Sequence, residues 1–470
     1  MAVPAVAARP ARVRRQALLV TAASLGTNVS SYVFTVIAAR LLVPSAFGEL
    51  SALMAVLVVG VVPALSMQTG VALRVASLRP GSGRSERGGA VGLGLGLGAA
   101  VAALVLLAVP VLTPVLHLSG PAGVLMLPIA LLAYPVLGSL NGLLQGRQRF
   151  GALALVMGLD ASLRVGGAIT GLVVGRTPAA ALAGLATGVV LATTAAYLVV
   201  GRPRPARPSG LLLRRVGHAG YATVGLVTLV NLDVILARTV LSGHESGVYA
   251  VGAVFAKITY WLPQAVAIVL LPRLAHGAGR RATLAGGLLA VVCVDAPVVL
   301  VGALFGSDLL PLVGGADYRG ESAPLWLFAL TGTLLAVGQL LLFSRLAARD
   351  VRSIVAVWLG VAAEIALVHW WLGGSVVAVA TAAASVAGFL VLAGLLVEIG
   401  GAGHRHGGGR DAGADGDQHG GLGDVPVGPG LAVPGEPAGD GHDGGEAGPA
   451  QHDPHQRARI HLPHQRTGDE

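Results

Sequence analysis

Twelve long apolar stretches, separated by short turns, occupy residues 17–399. Each is close to the ~20 residues with which a helix crosses roughly 30 Å of hydrocarbon. Lipid offers the backbone no hydrogen-bond partners, and the stretches lack the alternation of barrel strands, so we expect helices. The predicted spans are 17–39, 49–73, 89–111, 121–144, 152–174, 179–200, 216–238, 247–272, 282–305, 322–345, 352–372 and 375–399. The sequence therefore predicts an all-α polytopic membrane protein.

The arginines of the turns lie almost entirely on one side of this predicted bundle. The amino-terminal arm and every second turn contain 21 arginines, while the alternate turns contain four, Arg40, Arg176, Arg238 and Arg319. Cytoplasmic turns of membrane proteins have an excess of basic residues. We therefore expect both termini in the cytoplasm. The first apolar stretch is a full span without a clear small-residue cleavage site, so a cleavable signal peptide is not predicted.

Composition excludes several classes of protein. With 54% hydrophobic and 12% charged residues, the chain cannot remain soluble as a globule. The net charge of +9 follows the membrane topology, so no nucleic-acid partner is predicted. A single cysteine, Cys293, excludes an intrachain disulfide and a multi-cysteine metal site. The predicted spans contain no Walker motif, zinc cluster or nucleophile triad, so we expect neither an enzyme nor a cofactor.

The two halves of the predicted bundle resemble each other. After the first span the chain reads AARLLVPSAFGELSALMAV, and after the seventh it reads LARTVLSGHESGVYAVGAV. The matched pairs, at offsets of 198, 199 and 200, are Arg40 with Arg238, Gly48 with Gly247, and Pro63 with Pro263. Six spans followed by six in the same orientation imply two lobes related by a pseudo-twofold axis along the membrane normal. Such lobes usually bind a substrate between them.

The predicted organisation has five parts. They are a basic cytoplasmic arm (1–16), a six-helix lobe (17–200), a cytoplasmic linker (201–215), a second six-helix lobe (216–399) and a tail (400–470). The tail is rich in Gly, His and Asp and lacks apolar runs, so we expect it to be disordered. It contains 8 of the 13 histidines, but their irregular spacing does not indicate a metal site. The abrupt change of composition raises the hypothesis of a shifted reading frame.

Two blocks of sequence resemble a known transporter family. In the first half they are ARLL at 39–42 and FGEL at 47–50, within residues 27–78. In the second half they are NLD at 231–233, GVYA at 247–250, Lys257 and LPRL at 271–274. The chain resembles the bacterial oligosaccharide flippases and polysaccharide exporters of the multidrug, oligosaccharidyl-lipid and polysaccharide export (MOP) superfamily. This resemblance implies twelve or more helices in two lobes around a central cavity.

The resemblance also implies a function. It implies a transporter in the bacterial cytoplasmic membrane that flips a polyprenyl-pyrophosphate-linked oligosaccharide, or exports a polysaccharide precursor, by alternating access. The implied partners are membrane lipid and the polymerase and glycosyltransferases of cell-surface polysaccharide biosynthesis. Two alternatives stay open, a multidrug cation antiporter of the same superfamily and a major-facilitator-type porter. An antiporter of cations needs an acid-rich apolar pocket, whereas a flippase needs a net cationic cleft.

Polar and ionisable residues inside the spans are the candidates for this cleft. Charged groups at membrane depth are functional candidates by default, although structural pairing between helices is the rival interpretation. Asp160 and Arg164 lie four residues apart on one helix face, where they can pair. The resemblance places the helices of Lys257 and Asp233 beside the central cavity. The candidates for substrate contact are Lys257, Asp233, Asn231, Arg164, Asp160, Asn28 and Gln68.

A transporter without an ATP-binding motif needs another energy source. We expect a proton, a sodium gradient or the membrane potential to drive the cycle. Asp295 lies near the middle of the ninth span and Glu364 near the middle of the eleventh, and both are candidates for the coupling group, with Asp233 as a third. Moving one charge across 100 mV contributes ~2.3 kcal/mol, which is enough to bias a two-state transporter.

Overall fold

The computed structural model describes residues 10–78, 83–274, 280–346 and 351–407. Twelve α-helices and one short 3-10 helix form this part of the chain. The first six helices are α1 (Pro10–Leu41), α2 (Pro44–Ala76), α3 (Gly83–Val115), α4 (Ala122–Gly146), α5 (Phe150–Gly175) and α6 (Pro178–Val200). The next six are α7 (Gly210–Val240), α8 (Gly243–Leu274), α9 (Arg280–Gly314), α10 (Leu325–Leu346), α11 (Val351–Trp370) and α12 (Val376–Gly407).

Each predicted span corresponds to one of these helices, which confirms the all-α fold. Eight helices are long and apolar enough, over their described residues, to cross a membrane. The apolar described parts of α10 and α11, Leu325–Leu341 and Val355–Trp370, are shorter. The chain is therefore a multi-pass membrane protein.

The packing of the helices repeats between the two halves. In the first half α1 packs on α5, α2 and α3 pack on α4, and α6 packs on α4 and α5. The same pairs recur in the second half, where α7 packs on α11, α8 and α9 pack on α10, and α12 packs on α10 and α11. This is the structural counterpart of the sequence repeat. The two six-helix lobes meet where α2 packs on α7 and α8.

Three helices extend into the segments that were predicted as arm, linker and tail. The first begins at Pro10 inside the predicted arm, α7 begins at Gly210 inside the predicted linker, and α12 continues to Gly407 inside the predicted tail. Apolar periodicity identifies the part of a helix in hydrocarbon, whereas caps decide where the helix starts. The hydroxyl of Ser209, for example, accepts from the backbone N–H of Leu212 at the start of α7 (3.4 Å). Residues 408–470 lie outside the described residues.

Glycines set the rotation of α4 against α2. A Cβ atom on Gly138 would clash with the carbonyl of Ala64, and one on Gly142 would clash with the carbonyl of Gln68. Such small residues let two helix backbones approach closely in a membrane. This contact turns the face of α4 that contains Asn141 toward the space between the lobes.

The helix bundle has two ends. The seam end is where α1 and α7 end and α2 and α8 begin, near Arg40, Pro44, Arg238 and Gly243. The arginine-rich end is the opposite one, where α2, α4 and α6 end.

Candidate functional site

A cavity of about 580 Å³ lies between the two lobes. Helices α1, α2, α4, α5 and α6 of the first lobe and α7, α8 and α10 of the second contribute to its walls. Along α2 the lining extends from Phe47 to Gln68, which is roughly 30 Å at the rise of an α-helix. Most of the lining is apolar, so its few polar side chains determine what it can bind.

The cavity closes toward the seam end. Phe47 and Leu50 are only 1% and 2% exposed, although both line the cavity. Toward the arginine-rich end, Leu65 and Trp261 line the same cavity and are 49% and 40% exposed. The space is therefore a cleft that is accessible from the arginine-rich end.

Arg238 joins the two lobes at the seam end. This residue of α7 is 5% exposed, and its guanidinium donates from Nε to the carbonyl of Leu116 (2.9 Å) and from Nη2 to the carbonyl of His117 (2.8 Å). Its Nη1 donates to the carbonyl of Ser45 (3.3 Å) and to Oγ of Ser246 (2.8 Å). Three of these four acceptors belong to the first lobe, so Arg238 connects the lobes directly.

The repeat partner of Arg238 makes a reciprocal contact. Arg40, in the last turn of α1, donates from Nη2 to the carbonyl of Leu312 near the end of α9. Each of the two matched arginines thus reaches into the opposite lobe and binds a carbonyl near the end of that lobe's third helix. The contacts are unequal, because Arg40 is exposed and Arg238 is buried.

Close backbone contact completes the seam. The matched glycines Gly48 and Gly247 lie side by side, so that a Cβ on Gly48 would lie 2.9 Å from the backbone nitrogen of Gly247. A Cβ on Gly247 would clash with the carbonyl of Pro44. Glu49 fixes the neighbouring turn by accepting from the N–H (3.0 Å) and the hydroxyl (3.1 Å) of Ser119. Larger residues at either glycine would force the lobes apart.

The charged residues of the cavity wall differ between the lobes. The described lining residues include two cations and one acid. In α5, Nε of Arg164 lies 3.7 Å from Oδ2 of Asp160, so the predicted ion pair of the first lobe is present. In α8, the half-buried Lys257 lines the cavity, and its carbonyl accepts from the hydroxyl of Tyr32 across the cleft (2.8 Å). The lining therefore has a net positive charge, which comes from Lys257.

Uncharged amides line the same cavity. Asn28 and Gln68, both predicted, are lining residues, and Nε2 of Gln68 donates to Oε1 of Gln145 (3.1 Å). Asn231 also lines the cavity and donates to the carbonyl of Val227 (2.9 Å). Asn141 is 8% exposed, and its Oδ1 lacks a donor among the described residues. Such groups can exchange hydrogen bonds with the hydroxyls of a substrate.

Asp233 lies behind the cavity wall and does not line it. Its Oδ2 accepts from the hydroxyl of the fully buried Tyr249 (3.0 Å), whereas its Oδ1 has no donor in the described part of the chain. Asp233 interacts electrostatically with Lys257 in the wall and with Glu364 of α11. The charge of Lys257 is therefore partly balanced from inside the second lobe.

The other two candidates for the coupling group, Glu364 and Asp295, are also buried in the second lobe and do not line the cavity. Glu364 is 2% exposed, and its Oε1 lacks a hydrogen-bond donor within the described ranges. Asp295 is 0% exposed and lies beside Thr333, whose hydroxyl donates instead to the carbonyl of Ala329 (3.0 Å). No group of three potential metal ligands occurs among the described residues.

Several residues of the site were not selected from the sequence. Asn141 and Gln339 are amides in apolar spans, the same signal that identified Asn28, and both line the cavity. Tyr32 gave no signal in the sequence, and Tyr249 belongs to the GVYA block but was not selected as a site residue. Arg238 was recognised as a repeat position, but its acceptors in the other lobe could not be found from sequence.

The chain is similar to known proteins in its structure. No family model and no curated protein matches the sequence. A multidrug resistance MATE family transporter of the MOP superfamily, in an inward-facing conformation, matches with a TM-score of 0.60 at 15% identity, over 79% of this chain and 94% of that chain. The lipid II flippase MurJ, in an inward closed conformation, matches with a TM-score of 0.61 at 13% identity, over 82% and 87%. A MOP superfamily transporter from Pyrococcus furiosus matches with a TM-score of 0.53 at 14% identity, over 82% of this chain and 94% of that chain.

These matches decide the fold. This chain has the fold of the MOP-superfamily transporters. The resemblance in the two sequence blocks is therefore confirmed at the level of fold, including the arrangement of twelve helices in two lobes.

Proposed function

We propose that this membrane protein transports its substrate by alternating access and that the substrate is a polyprenyl-pyrophosphate-linked oligosaccharide. The observation that carries the proposal is the cleft between the lobes, whose described lining has an excess of positive charge at Lys257. A pyrophosphate needs such a cation, because an unpaired charge at membrane depth costs at least ~2.5–3.5 kcal/mol. The amides of the wall suit the hydroxyls of a glycan, and the polyprenyl chain can remain in the lipid.

The multidrug cation antiporter is the second candidate. Its matching relatives support it by fold, but the acids of the second lobe lie behind the cavity wall, where they do not face a cationic substrate. The major-facilitator alternative has no support from the fold. The cationic excess of the lining favours a lipid-linked anion over a cationic drug.

A flipping assay tests the proposal directly. The protein is reconstituted in vesicles with an NBD-labelled undecaprenyl-pyrophosphate disaccharide, and impermeant dithionite reports the probe in the outer leaflet. We expect wild-type protein to make the inner-leaflet probe accessible, Lys257→Ala to abolish this, and Lys257→Arg to retain part of it because the charge survives with altered geometry. The control Arg176→Ala removes an exposed arginine at the seam end.

Three outcomes would count against the assignment or against the role of Lys257 in it. Efflux of an aromatic cation without flipping of the probe would favour the antiporter. Full flipping by Lys257→Ala would remove the role of Lys257, as would restoration of flipping in a double variant with Asp233→Asn, since Lys257 would then only neutralise that acid.

We propose further that the arginine-rich end faces the cytoplasm. The 21-to-4 distribution of arginines supports this orientation. Single cysteines are introduced at Arg207 and at Asp317 in a Cys293→Ser background and labelled on intact cells with an impermeant thiol reagent. We expect labelling at position 317 alone, and labelling at position 207 alone would reverse the topology.

A further inference from the structure

Three arginines gather at the arginine-rich end, away from the cleft. Arg87 lies near the start of α3, Arg147 follows the last residue of α4, and Arg149 precedes α5. Helices α3 and α4 pack on each other, which brings these residues together. The pKa of Arg147 is lowered by burial and also by the charges of Arg87 and Arg149. The group is therefore a set of like charges held at short range.

In the described part of the chain, none of these three arginines forms an ion pair with an acid. The sequence has no Asp or Glu between Arg87 and Leu159. The adjacent Glu86 already binds Arg74, whose Nη2 and Nε lie 2.7 and 3.2 Å from its Oε1. The buried Nε of Arg87 has no acceptor among the residues that the structure describes. Repulsion between the arginines is unfavourable unless an anion joins them.

The connection between the lobes passes beside the same arginines. The N–H of Ala206 donates to the carbonyl of Gly88 (2.9 Å), and a Cβ on Gly92 would clash with the carbonyl of Ala206. The backbone of Arg204 also contacts Gly88, and its side chain is exposed. A fourth arginine is thus attached next to Arg87 by backbone contacts.

The position of the group points to a lipid. Only 11% of the most apolar window of α3 is buried, and Leu104 and Leu107 are 66% and 77% exposed, so α3 faces lipid. The apolar stretches of α3 and α4 are 89–111 and 121–144, so the three arginines lie just outside them, at the level of the membrane surface. Lipid phosphate groups occupy that level, and arginine binds phosphate through two parallel hydrogen bonds.

We propose that Arg87, Arg147, Arg149 and Arg204 bind the phosphate group of an anionic phospholipid at the outer rim of the first lobe. This site is separate from the cleft and does not depend on the proposed substrate. A bound lipid would neutralise the arginines and hold the linker between the lobes against α3 and α4.

Native mass spectrometry of the purified protein tests the site. The probe is phosphatidylglycerol, with zwitterionic phosphatidylcholine as the lipid of no net charge and inorganic pyrophosphate as the soluble anion. We expect wild-type protein to bind phosphatidylglycerol selectively, and each arginine removed in Arg87→Gln, Arg147→Gln or Arg149→Gln to weaken binding about fivefold. Arg147→Lys keeps most of the affinity, and Arg176→Gln, the charge-matched control, keeps all of it.

A second measurement separates a ligand site from a structural role. In detergent without added lipid, Arg147→Gln should unfold at the same temperature as wild type or higher, since it relieves repulsion. Phosphatidylglycerol should raise the unfolding temperature of wild type more than that of the variant. Equal lipid binding by wild type and all three variants would overturn the proposal. Displacement of the lipid by pyrophosphate, or lower stability of Arg147→Gln without lipid, would do so as well.

Discussion

The two lobes share a packing scheme but treat buried charge differently. In the first lobe, Asp160 and Arg164 lie one helical turn apart in α5 and pair with each other at the cavity wall. In the second lobe, Asp233, Glu364 and Asp295 lie on three different helices, and none of them forms an ion pair within 4 Å among the described residues. An ion pair within one helix is the same in every arrangement of the helices, so it does not favour one arrangement over another. Acids on separate helices without an ion-pair partner are groups whose proton or cation occupancy can change how the helices pack.

The largest effect should come from removing the separated acids. We expect Asp233→Asn with Glu364→Gln to abolish the acceleration of flipping by an ion gradient, a loss of roughly 50-fold if one charge moves through 100 mV. Flipping in reconstituted vesicles, with and without a proton or sodium gradient, measures this. Glu364→Asp, which keeps the carboxylate, is the control. Gradient-dependent flipping by the double variant would place the coupling elsewhere, with Asp295 as the next candidate.

The matched arginines of the seam give the next largest difference between the lobes. Arg238→Gln removes charge-assisted hydrogen bonds to four acceptors, whereas Arg40→Gln removes one exposed bond. We expect Arg238→Gln to favour the open seam by about 2 kcal/mol, which is roughly thirtyfold, and Arg40→Gln by less than 1 kcal/mol. Distances between spin labels across the seam measure the open fraction. An equal change of the open fraction in both variants would show that the burial of Arg238 does not stabilise the closed seam.

Removal of the first-lobe pair should have a smaller effect. The double variant Asp160→Asn with Arg164→Gln retains polar side chains and leaves no unpaired charge, so we expect flipping to fall less than about threefold. Asp160→Asn alone leaves Arg164 without its partner and should reduce the amount of folded protein more than the double variant does. A double variant as inactive as Lys257→Ala would mean that this pair contacts the substrate.

The smallest effect should come from the tail. A chain that ends at Gly407 keeps all twelve helices, so we expect unchanged expression and unchanged flipping. If this truncation stops transport while the protein remains in the membrane, the histidines after residue 407 become the candidates for a role. Resequencing the coding DNA tests the reading-frame hypothesis independently.

Much of the fold follows from the sequence, because hydrocarbon thickness fixes helix length and arginines mark the turns. The pair Asp160 and Arg164 was also predictable, since four residues along one helix decide it. The depth of a side chain in the membrane and the direction in which it points could not be predicted. Asp233 and Lys257 both lie on cavity-forming helices, yet only Lys257 lines the cleft. Contacts between helices, such as Gly138 against Ala64, set that rotation, and a single sequence does not specify which helices meet.

The seam has a consequence for how this protein can change over time. The acceptors of Arg238 in the first lobe are the main-chain oxygens of Ser45, Leu116 and His117. Every amino acid supplies such an oxygen, so the side chains at these three positions can be replaced without loss of the bonds. Substitutions at these three positions should be tolerated as long as the backbone keeps its shape there. Arg238 cannot be replaced in the same way, because only arginine offers a rigid fork of hydrogen-bond donors that point in several directions.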